Sequence, residues 1–300
     1  MSGFLQDKAI VVTGGGSGIG RAIALGCAAE GARIVVADLG VSLSGEDPTS
    51  EVADAVVKEI EALGGEAVAV AEDVATMTGG QRIVGAAVEA WGRIDGAVCV
   101  AGILRERMLF KMSEDEWDAV IRVHLKGHFT VFRHAAEVMR EQKSGSLVGI
   151  TSGAFTGSVA QANYASAKGG IVSLVRSAAV GMYRYGVRAN AIAPIARTRM
   201  SANVPMELAE MGDPEDIAPM AAYLLSDASK DVTGQVYTVV GGKIAVWNQP
   251  VEVRSMKTEG RWTPEQIAER FAEVGVEKMG LIDQLESIRQ AATSGEKPNA

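Results

Sequence analysis

Residues 8–20 have the sequence Lys-Ala-Ile-Val-Val-Thr-Gly-Gly-Gly-Ser-Gly-Ile-Gly. The apolar, β-branched part is typical of a strand buried on both faces of a parallel sheet. An alanine-rich, helix-like stretch follows from Arg21 to about Glu30, and residues 33–37 are a second apolar run that ends at Asp38. A strand, a glycine-rich turn, a helix, a strand and an acid in this order predict a βαβ unit that binds a dinucleotide.

The glycine-rich turn is the predicted cradle for the pyrophosphate. Glycines let the backbone approach the phosphates, and the N–H groups and dipole of the opening helix turn favour negative charge. We therefore expect cofactor contacts at Gly14, Gly16, Ser17, Gly18, Ile19 and Gly20. Asp38 follows the second strand, where a carboxylate binds the ribose hydroxyls and repels a 2′-phosphate. No Arg or Lys follows in Leu39-Gly40-Val41, so the sequence predicts NAD rather than NADP.

Strand-like and helix-like segments continue to alternate after this unit. Further apolar runs lie at residues 67–70, 97–100, 146–150, 187–193 and 235–240. The pattern predicts an α/β fold, a Rossmann-like doubly wound parallel sheet of about seven strands with helices on both faces. Residues 1–245 form the predicted domain, with a substrate loop at 195–212, and residues 246–300 a C-terminal extension that packs on the domain or on a partner subunit. The loop contains three methionines that suit either an adaptable apolar site or core filling, namely Met200, Met206 and Met211.

Composition and charge narrow the class of protein. The chain has 300 residues, of which 47% are hydrophobic and 22% charged, and its formal net charge is −8. No basic stripe is present, so a nucleic-acid partner has little support. The N-terminus has no secretory pattern, and the charge-free stretch 144–167 is too polar for a membrane span. Cys27 and Cys99 have no ligand spacing and fit reduced core residues, so we expect a cytoplasmic protein.

The candidate catalytic stretch is residues 161–168, Gln-Ala-Asn-Tyr-Ala-Ser-Ala-Lys. In a helix, Tyr164 and Lys168 lie one turn apart on the same face. Because a fixed cation favours the phenolate, we expect Lys168 to lower the pKa of Tyr164 toward neutral pH. A tyrosine of that kind can act as a general acid or base at a carbinol carbon. A Tyr-x-x-x-Lys pair is common in surface helices. The catalytic interpretation of this pair therefore depends on the predicted glycine-rich turn upstream.

Other candidate residues follow the predicted strands or lie on the long helix that a capping box at Ser113 begins. Asp73 and Val74 come after the third strand, at the edge where ligands of open α/β sheets lie, and could flank the adenine. Asp73 also fits a helix-capping turn, and both roles stay open. His124 and His128 are spaced i, i+4, but no third ligand accompanies them, so no metal site is predicted.

Together these motifs resemble the short-chain dehydrogenase/reductase family over residues 1–245. They are Thr13-Gly14-x-x-x-Gly18-Ile19-Gly20, Tyr164-x-x-x-Lys168 and Asn-Ala-Ile-Ala-Pro at residues 190–194, in family order and spacing. The chain is similar in particular to the 3-hydroxyacyl-CoA dehydrogenase domain of the peroxisomal multifunctional enzymes type 2 and to their bacterial single-domain relatives. That closer likeness rests on Ala-Gly-Ile-Leu-Arg at residues 101–105, Val-His-Leu-Lys-Gly at 123–127 and Gln-Ala-Asn-Tyr at 161–164.

The resemblance implies NAD-linked interconversion of a secondary alcohol and a ketone, with a 3-hydroxyacyl-CoA or a steroid-like compound as the substrate. Tyr164 would exchange the hydroxyl proton, Lys168 would bind the nicotinamide ribose, and a preceding hydroxyl would orient the substrate oxygen. That hydroxyl is Thr151 by the usual spacing or Ser152 by the local Ser-Gly-Ala pattern, and we favour Ser152. His124 stands where the family often has a catalytic Asn.

The resemblance also extends the predicted cofactor contacts to Asp73, Val74, Ala101, Gly102, Pro194 and Thr198. Cys99-Val100 replaces the Asn-Asn pair that the family usually has before Ala101. Family analogy predicts a homodimer or homotetramer and a role in lipid metabolism. An NAD-binding module without catalytic activity is the alternative from another class, since fold alone permits it. The presence of Tyr164, Lys168 and a hydroxyl together favours the enzyme.

Overall fold

A computed structural model describes residues 3–40, 49–198, 211–275 and 279–294 of the chain. The chain divides into two units, Met1–Trp247 and Asn248–Ala300. Most of the predicted substrate loop, including Met200 and Met206, lies outside the described residues.

An eight-stranded sheet forms the centre of the first unit, with the strand order β3-β2-β1-β4-β5-β6-β7-β8. The strands are β1 (Ala9–Thr13), β2 (Arg33–Ala37), β3 (Ala67–Val70), β4 (Gly96–Cys99), β5 (Gly145–Ile150), β6 (Val187–Pro194), β7 (Val236–Val240) and β8 (Lys243–Val246). Strands β1 to β7 are parallel, and β8 pairs antiparallel with β7. The order from β3 to β6 is that of a doubly wound dinucleotide-binding sheet. The predicted fold class is therefore confirmed.

The eighth strand corrects the prediction of about seven strands with the last one ending at Val240. β7 and β8 form a hairpin around Gly241-Gly242, and Val240 lies opposite Lys243. Two strands separated by Gly-Gly are a known hairpin signal. The signal is weak here because β8 has only four residues, of which Lys243, Ile244 and Val246 are exposed. An edge strand of this kind lacks the continuous apolar sequence that marks a strand buried on both faces.

Helices cover both faces of the sheet. In the first unit they are α1 (Gly18–Ala29), α2 (Glu51–Ala62), α3 (Met77–Trp91), α4 (Glu114–Ile121), α5 (Gly127–Gln142), α6 (Ala162–Met182) and α7 (Ala218–Leu225). The capping box predicted at Ser113 is present at the start of α4. One π-helical turn, Arg122–Lys126, joins α4 to α5, so the long predicted helix contains a bulge. Turns of this type are rare and often lie at functional sites.

Two apolar cores flank the sheet because alternate strand residues point to opposite faces. On β1, Ile10 and Val12 pack with the buried residues of α1, α2 and α7, whereas Val11 packs with those of α3, α5 and α6. All three side chains are fully buried. Burial on both faces explains why the parallel strands have continuous rather than alternating apolar sequences.

The second unit contains α8 (Pro264–Arg270) and α9 (Gly280–Ser294). Thr263 begins α8 with a capping box, in which its side chain accepts the N–H of Gln266. The packing of this extension on the domain or on a partner stays a prediction, as do the homodimer and the homotetramer. No helix within the described ranges combines the length and the apolar character that a membrane span requires.

Candidate active site

The turn between β1 and α1 is folded so tightly that glycine is needed at several of its positions. Gly14 has a φ of +65°, and a Cβ there would lie 2.7 Å from the backbone nitrogen of Ala101. A Cβ on Gly20 would lie 1.9 Å from the carbonyl oxygen of Gly14. The amino end of α1 and the carboxyl end of β4 are thereby brought to the same turn, which is the cradle that a dinucleotide pyrophosphate needs. The residues present fit a dinucleotide cofactor.

The remaining predicted contacts of the turn lie at the start of α1 and in the segment after β6. Ser17 precedes α1, and Ile19 is half-buried against the core shared by α1, α2 and α7. Gly18 has a φ of +51°, and a Cβ there would lie 3.8 Å from Cγ2 of Thr198. Pro194 ends β6. The structure thus brings Thr198 next to the turn.

Asp38 follows β2 and borders the turn from its other side. Its Oδ2 accepts the N–H of Gly16 at 2.8 Å, and its Oδ1 accepts the N–H of Gly40 at 2.7 Å. The carboxylate is thereby fixed at the carboxyl end of the sheet, where the adenosine ribose lies in dinucleotide-binding folds.

Asp73 and Val74 follow β3, and both oxygens of Asp73 have protein partners. Oδ1 accepts the N–H of Ala75 at 2.8 Å, and Oδ2 pairs with Nη1 of Arg122 at 2.7 Å. Val74 is buried, and its carbonyl oxygen accepts the hydroxyl of Thr130. Asp73 thus forms a turn before α3, but the residue whose side chain caps that helix is Thr76, and the role of Asp73 beside the adenine stays a prediction.

The carboxyl end of β4 is held by Thr13, in the absence of the family's asparagine pair. Oγ1 of Thr13 accepts the N–H of Val100 at 3.1 Å and that of Ala101 at 3.4 Å. Gly102 comes next, and a Cβ there would lie 2.3 Å from Cε1 of His124. The structure therefore brings Ala101 against the cofactor turn and Gly102 against the histidine ring.

Tyr164 and Lys168 lie on the first two turns of α6, close to the end of β5. The side chain of Lys168 is almost completely buried, and its Nζ donates to the carbonyl oxygen of Ile150 at 2.7 Å. The same Nζ lies 5.3 Å from the centre of the Tyr164 ring. The structure brings the two side chains together on one face of the helix, as their spacing predicts.

The two candidate hydroxyls, Thr151 and Ser152, have different surroundings. Thr151 is 1% exposed, and its hydroxyl donates to the carbonyl oxygen of Lys168 at 2.8 Å. Ser152 is half-buried, and its side chain is close enough to the Tyr164 phenol to lower the pKa of that phenol. Its Oγ also accepts the N–H of Ala154 at 3.2 Å. The hydroxyl next to the phenol is therefore that of Ser152, whereas Thr151 ties α6 to the end of β5.

Burial dominates the ionisation of the Tyr164–Lys168 pair. It raises the pKa of Tyr164 to about 12, against the lowering effect of the Ser152 side chain, and it lowers the pKa of Lys168 to about 7. The expectation that Lys168 pulls the pKa of Tyr164 down is wrong here. Desolvation disfavours the phenolate and the ammonium alike, and Nζ is hydrogen-bonded to Ile150. At neutral pH the phenol holds its proton.

His124 and His128 are buried, and their rings contact backbone groups. Nε2 of His124 lies 2.8 Å from the oxygen and 3.1 Å from the nitrogen of Ile103, so the tautomer decides which one is its partner. The His124 ring also packs edge-on against Tyr164, with 5.2 Å between the ring centres. Nδ1 of His128 donates to the carbonyl oxygen of His124 at 2.6 Å. Burial and then the charge of Lys168 lower the pKa of both rings, that of His128 to about 3, so both are neutral at pH 7.

Asn163 belongs to the site, although the sequence pattern does not assign it a role. Its side chain is 1% exposed, its Nδ2 donates to the carbonyl oxygens of Arg105 and Glu116, and its Oδ1 accepts the N–H of Tyr164. A polar residue directly before Tyr164 is the sequence signal, but two of its partners are backbone groups far along the chain. In the part of the chain that the structure describes, no group of three or more His, Cys, Asp or Glu residues could hold a metal ion.

Comparison with known proteins identifies the family. A family model described as enoyl-(acyl carrier protein) reductase matches residues 14–243. The hydroxyacyl-CoA dehydrogenase ChsB1 of Mycobacterium tuberculosis is 40% identical over 280 residues, which cover 88% of this chain and 87% of that protein. The chain belongs to the short-chain dehydrogenase/reductase family.

Two further proteins resemble this short-chain dehydrogenase. The peroxisomal multifunctional enzyme type 2 of Mus musculus is 36% identical over 273 residues, which cover 90% of this chain and 37% of that enzyme. A short chain dehydrogenase from Mycobacterium avium, known from its crystal structure, is 42% identical in sequence to this chain. The two structures superpose with a TM-score of 0.81 over 91% of this chain and 95% of the Mycobacterium avium chain. The predicted family and enzyme class are confirmed. This protein is an oxidoreductase that acts on a small molecule with a nicotinamide cofactor.

Proposed function

We propose that this short-chain dehydrogenase interconverts a secondary alcohol and a ketone with NAD, and that its substrate is a 3-hydroxyacyl-CoA thioester. The observation that carries the reaction is the position of Tyr164 next to Ser152, whose side chain lowers the pKa of the phenol, and next to the buried Lys168. The substrate class is supported by the likeness to a hydroxyacyl-CoA dehydrogenase and to a peroxisomal multifunctional enzyme type 2, each over most of this chain.

Ser152 and Tyr164 would hold the substrate oxygen and move its proton. In ketone reduction, Tyr164 gives its phenolic proton to the oxygen as hydride reaches the carbonyl carbon, and in alcohol oxidation it takes the hydroxyl proton as hydride leaves. A bound dinucleotide supplies the nicotinamide carbon that gives or takes the hydride. A pKa of about 12 keeps Tyr164 protonated at neutral pH, which suits reduction. Alcohol oxidation requires the phenolate form of Tyr164, and a positive charge next to the phenol ring would favour that form.

Lys168 and the first βαβ unit would bind the cofactor. An ammonium has three N–H donors, of which the bond to Ile150 uses one, so the others can reach the ribose hydroxyls next to Tyr164. Asp38, fixed by Gly16 and Gly40, can accept hydrogen bonds from an adenosine ribose and repels a 2′-phosphate. These contacts support NAD as the cofactor.

NADH absorbance with a panel of 3-hydroxyacyl-CoAs and hydroxysteroids tests the proposal, with Tyr164→Phe as the matched variant. We expect NAD reduction with the hydroxyacyl-CoAs, and a fall in kcat of about 10²–10⁴-fold in the variant because the proton-transferring group is lost. NADH binding should persist in both proteins. Turnover of hydroxysteroids alone would change the substrate, and NADH binding without turnover of any compound would favour the silent module.

A further inference from the structure

We propose that Asn163 is a positioning residue for Tyr164, and that it fixes the segment 103–107 as one wall of the site. The inference rests on the proposed function, because it concerns the side chain to which we assign proton transfer. Asn163 does not touch the reacting atoms in this proposal. It acts through the backbone of its three partners.

Both polar atoms of the buried Asn163 carboxamide are hydrogen-bonded, and both N–H groups have an acceptor. Nδ2 donates to the carbonyl oxygens of Arg105 and Glu116, each at 2.9 Å, and Oδ1 accepts the N–H of Tyr164 at 2.8 Å. The N–H of Tyr164 belongs to the first helical turn, whose donors have no partner inside the helix. A buried polar group with all its partners in place has a single orientation, and it therefore rigidifies its surroundings.

The three partners belong to three separate segments. Arg105 lies in the segment after β4, Glu116 in α4 and Tyr164 in α6. The guanidinium of Arg107 pairs with the carboxylate of Glu116 at 2.9 Å and links the first two segments at the surface. Asn163 is the buried residue that bonds to all three segments. Asn163 therefore adds a buried link to the outer ones, which are the Arg107–Glu116 pair and the N–H of Arg107 that donates to the carbonyl oxygen of Ala160 at 2.8 Å.

The segment 103–107 is held by two residues of the site. The His124 ring contacts the backbone of Ile103 and the edge of the Tyr164 ring, while Asn163 holds the carbonyl group of Arg105. Removing the carboxamide frees this carbonyl group and the N–H of Tyr164 at the same time. The phenol would then vary in position relative to the substrate oxygen. A misplacement of about 1 Å can cost about 10²-fold in rate.

Asn163→Ala and Asn163→Asp test the inference, with Asn190→Ala as the matched control. Asn190 is also buried, and it bridges the carbonyl oxygen of Val232 at 2.8 Å and the N–H of Gln235 at 3.0 Å. We expect Asn163→Ala to lower kcat about 10²-fold with little change in the KM for NAD. Asn190→Ala should lower the melting temperature without that loss of kcat.

Asn163→Asp keeps an acceptor for Tyr164 but has no donor for Arg105 and Glu116. We expect it to lose kcat as the alanine variant does, because an acceptor-only carboxylate faces two carbonyl oxygens. This variant also decides the matter if the alanine variant does not fold. Equal falls of kcat in the Asn163 variants and in Asn190→Ala would show general destabilisation and would overturn the inference.

Amide hydrogen exchange provides a readout that needs no activity. Asn163→Ala should exchange faster in peptides that cover residues 103–107 and 161–165, and at the wild-type rate in residues 14–20. Unchanged exchange in the first two peptides overturns the inference. If the wild-type protein turns over no substrate, the proposed function fails, and the exchange rates still decide whether Asn163 fixes these segments.

Discussion

The proposed cofactor half of the site and the proposed proton-transfer half are built in different ways. The cofactor half comes from one βαβ unit. There a backbone N–H of the turn 14–20 binds Asp38, and glycines without a Cβ let the backbone pack closely. The proton-transfer half joins Ser152, Tyr164 and His124 from the end of β5, from α6 and from the π turn, and burial sets its ionisation. A local motif determines a backbone shape, whereas a charge state depends on surroundings that only the folded chain supplies.

The largest expected effect is a loss of kcat in the proton-transfer half, and it distinguishes the adjacent hydroxyls of Thr151 and Ser152. We expect Ser152→Ala to lower kcat about 10²-fold or more, because a hydrogen-bond donor to the reacting oxygen is lost. Thr151→Val should leave kcat nearly unchanged and cost about 0.5–1.5 kcal/mol of unfolding free energy, because its bond to the Lys168 carbonyl is lost. Steady-state kinetics and thermal unfolding of both variants give the answer. A larger kcat loss in Thr151→Val would move the catalytic role to Thr151.

A smaller effect is expected in the cofactor half. Asp38→Asn keeps the shape of the side chain and one acceptor oxygen for Gly16 or Gly40, but it removes the charge that repels a 2′-phosphate. We expect the preference for NAD over NADP in kcat/KM to fall about 10-fold, which corresponds to about 1.4 kcal/mol. The ratio for the two cofactors is measured with the same substrate in wild type and variant. An unchanged ratio would contradict the ribose assignment of Asp38.

The smallest effect tests whether burial sets the charge of Lys168. Its pKa is about 7 in the folded protein and 10.5 without burial. Between these values the unfolded chain binds more protons at this side chain, so its contribution to stability rises with pH. Lys168→Met removes that contribution. The melting temperature of wild type minus that of the variant should therefore increase by a few degrees from about pH 7 to about pH 9.

The pH window in this experiment stays below the range in which Tyr164 contributes. The pKa of Tyr164 is raised to about 12 from 10, so its contribution to stability is lost as the pH rises above about 10. The buried rings of His124 and His128 titrate below the window, because their pKa values are lowered. A constant difference in melting temperature would show that Lys168 keeps an ordinary pKa.

Much of the fold follows from local sequence, but several features of the site do not. The caps at Ser113 and Thr263 and the glycine turn depend on near neighbours, so their patterns are visible in the chain. The spacing of Tyr164 and Lys168 predicts the wrong direction for the pKa of Tyr164, because helical spacing does not show how deeply a side chain is buried. The partners of Thr151 and Asn163 are backbone groups of other segments, which no residue pattern identifies.

The hairpin of β7 and β8 lowers the entropy cost of completing the sheet. Val236 of β7 pairs with Ala191 of β6 across a long crossover, whereas Val240 pairs with Lys243 across two glycines. The entropy lost on closing a loop grows with its length, and an isolated hairpin forms within about 1–10 μs. One edge of β7 therefore depends on a distant segment and the other on its nearest neighbours along the chain. The backbone hydrogen bonds between β7 and β8 therefore need no long-range search.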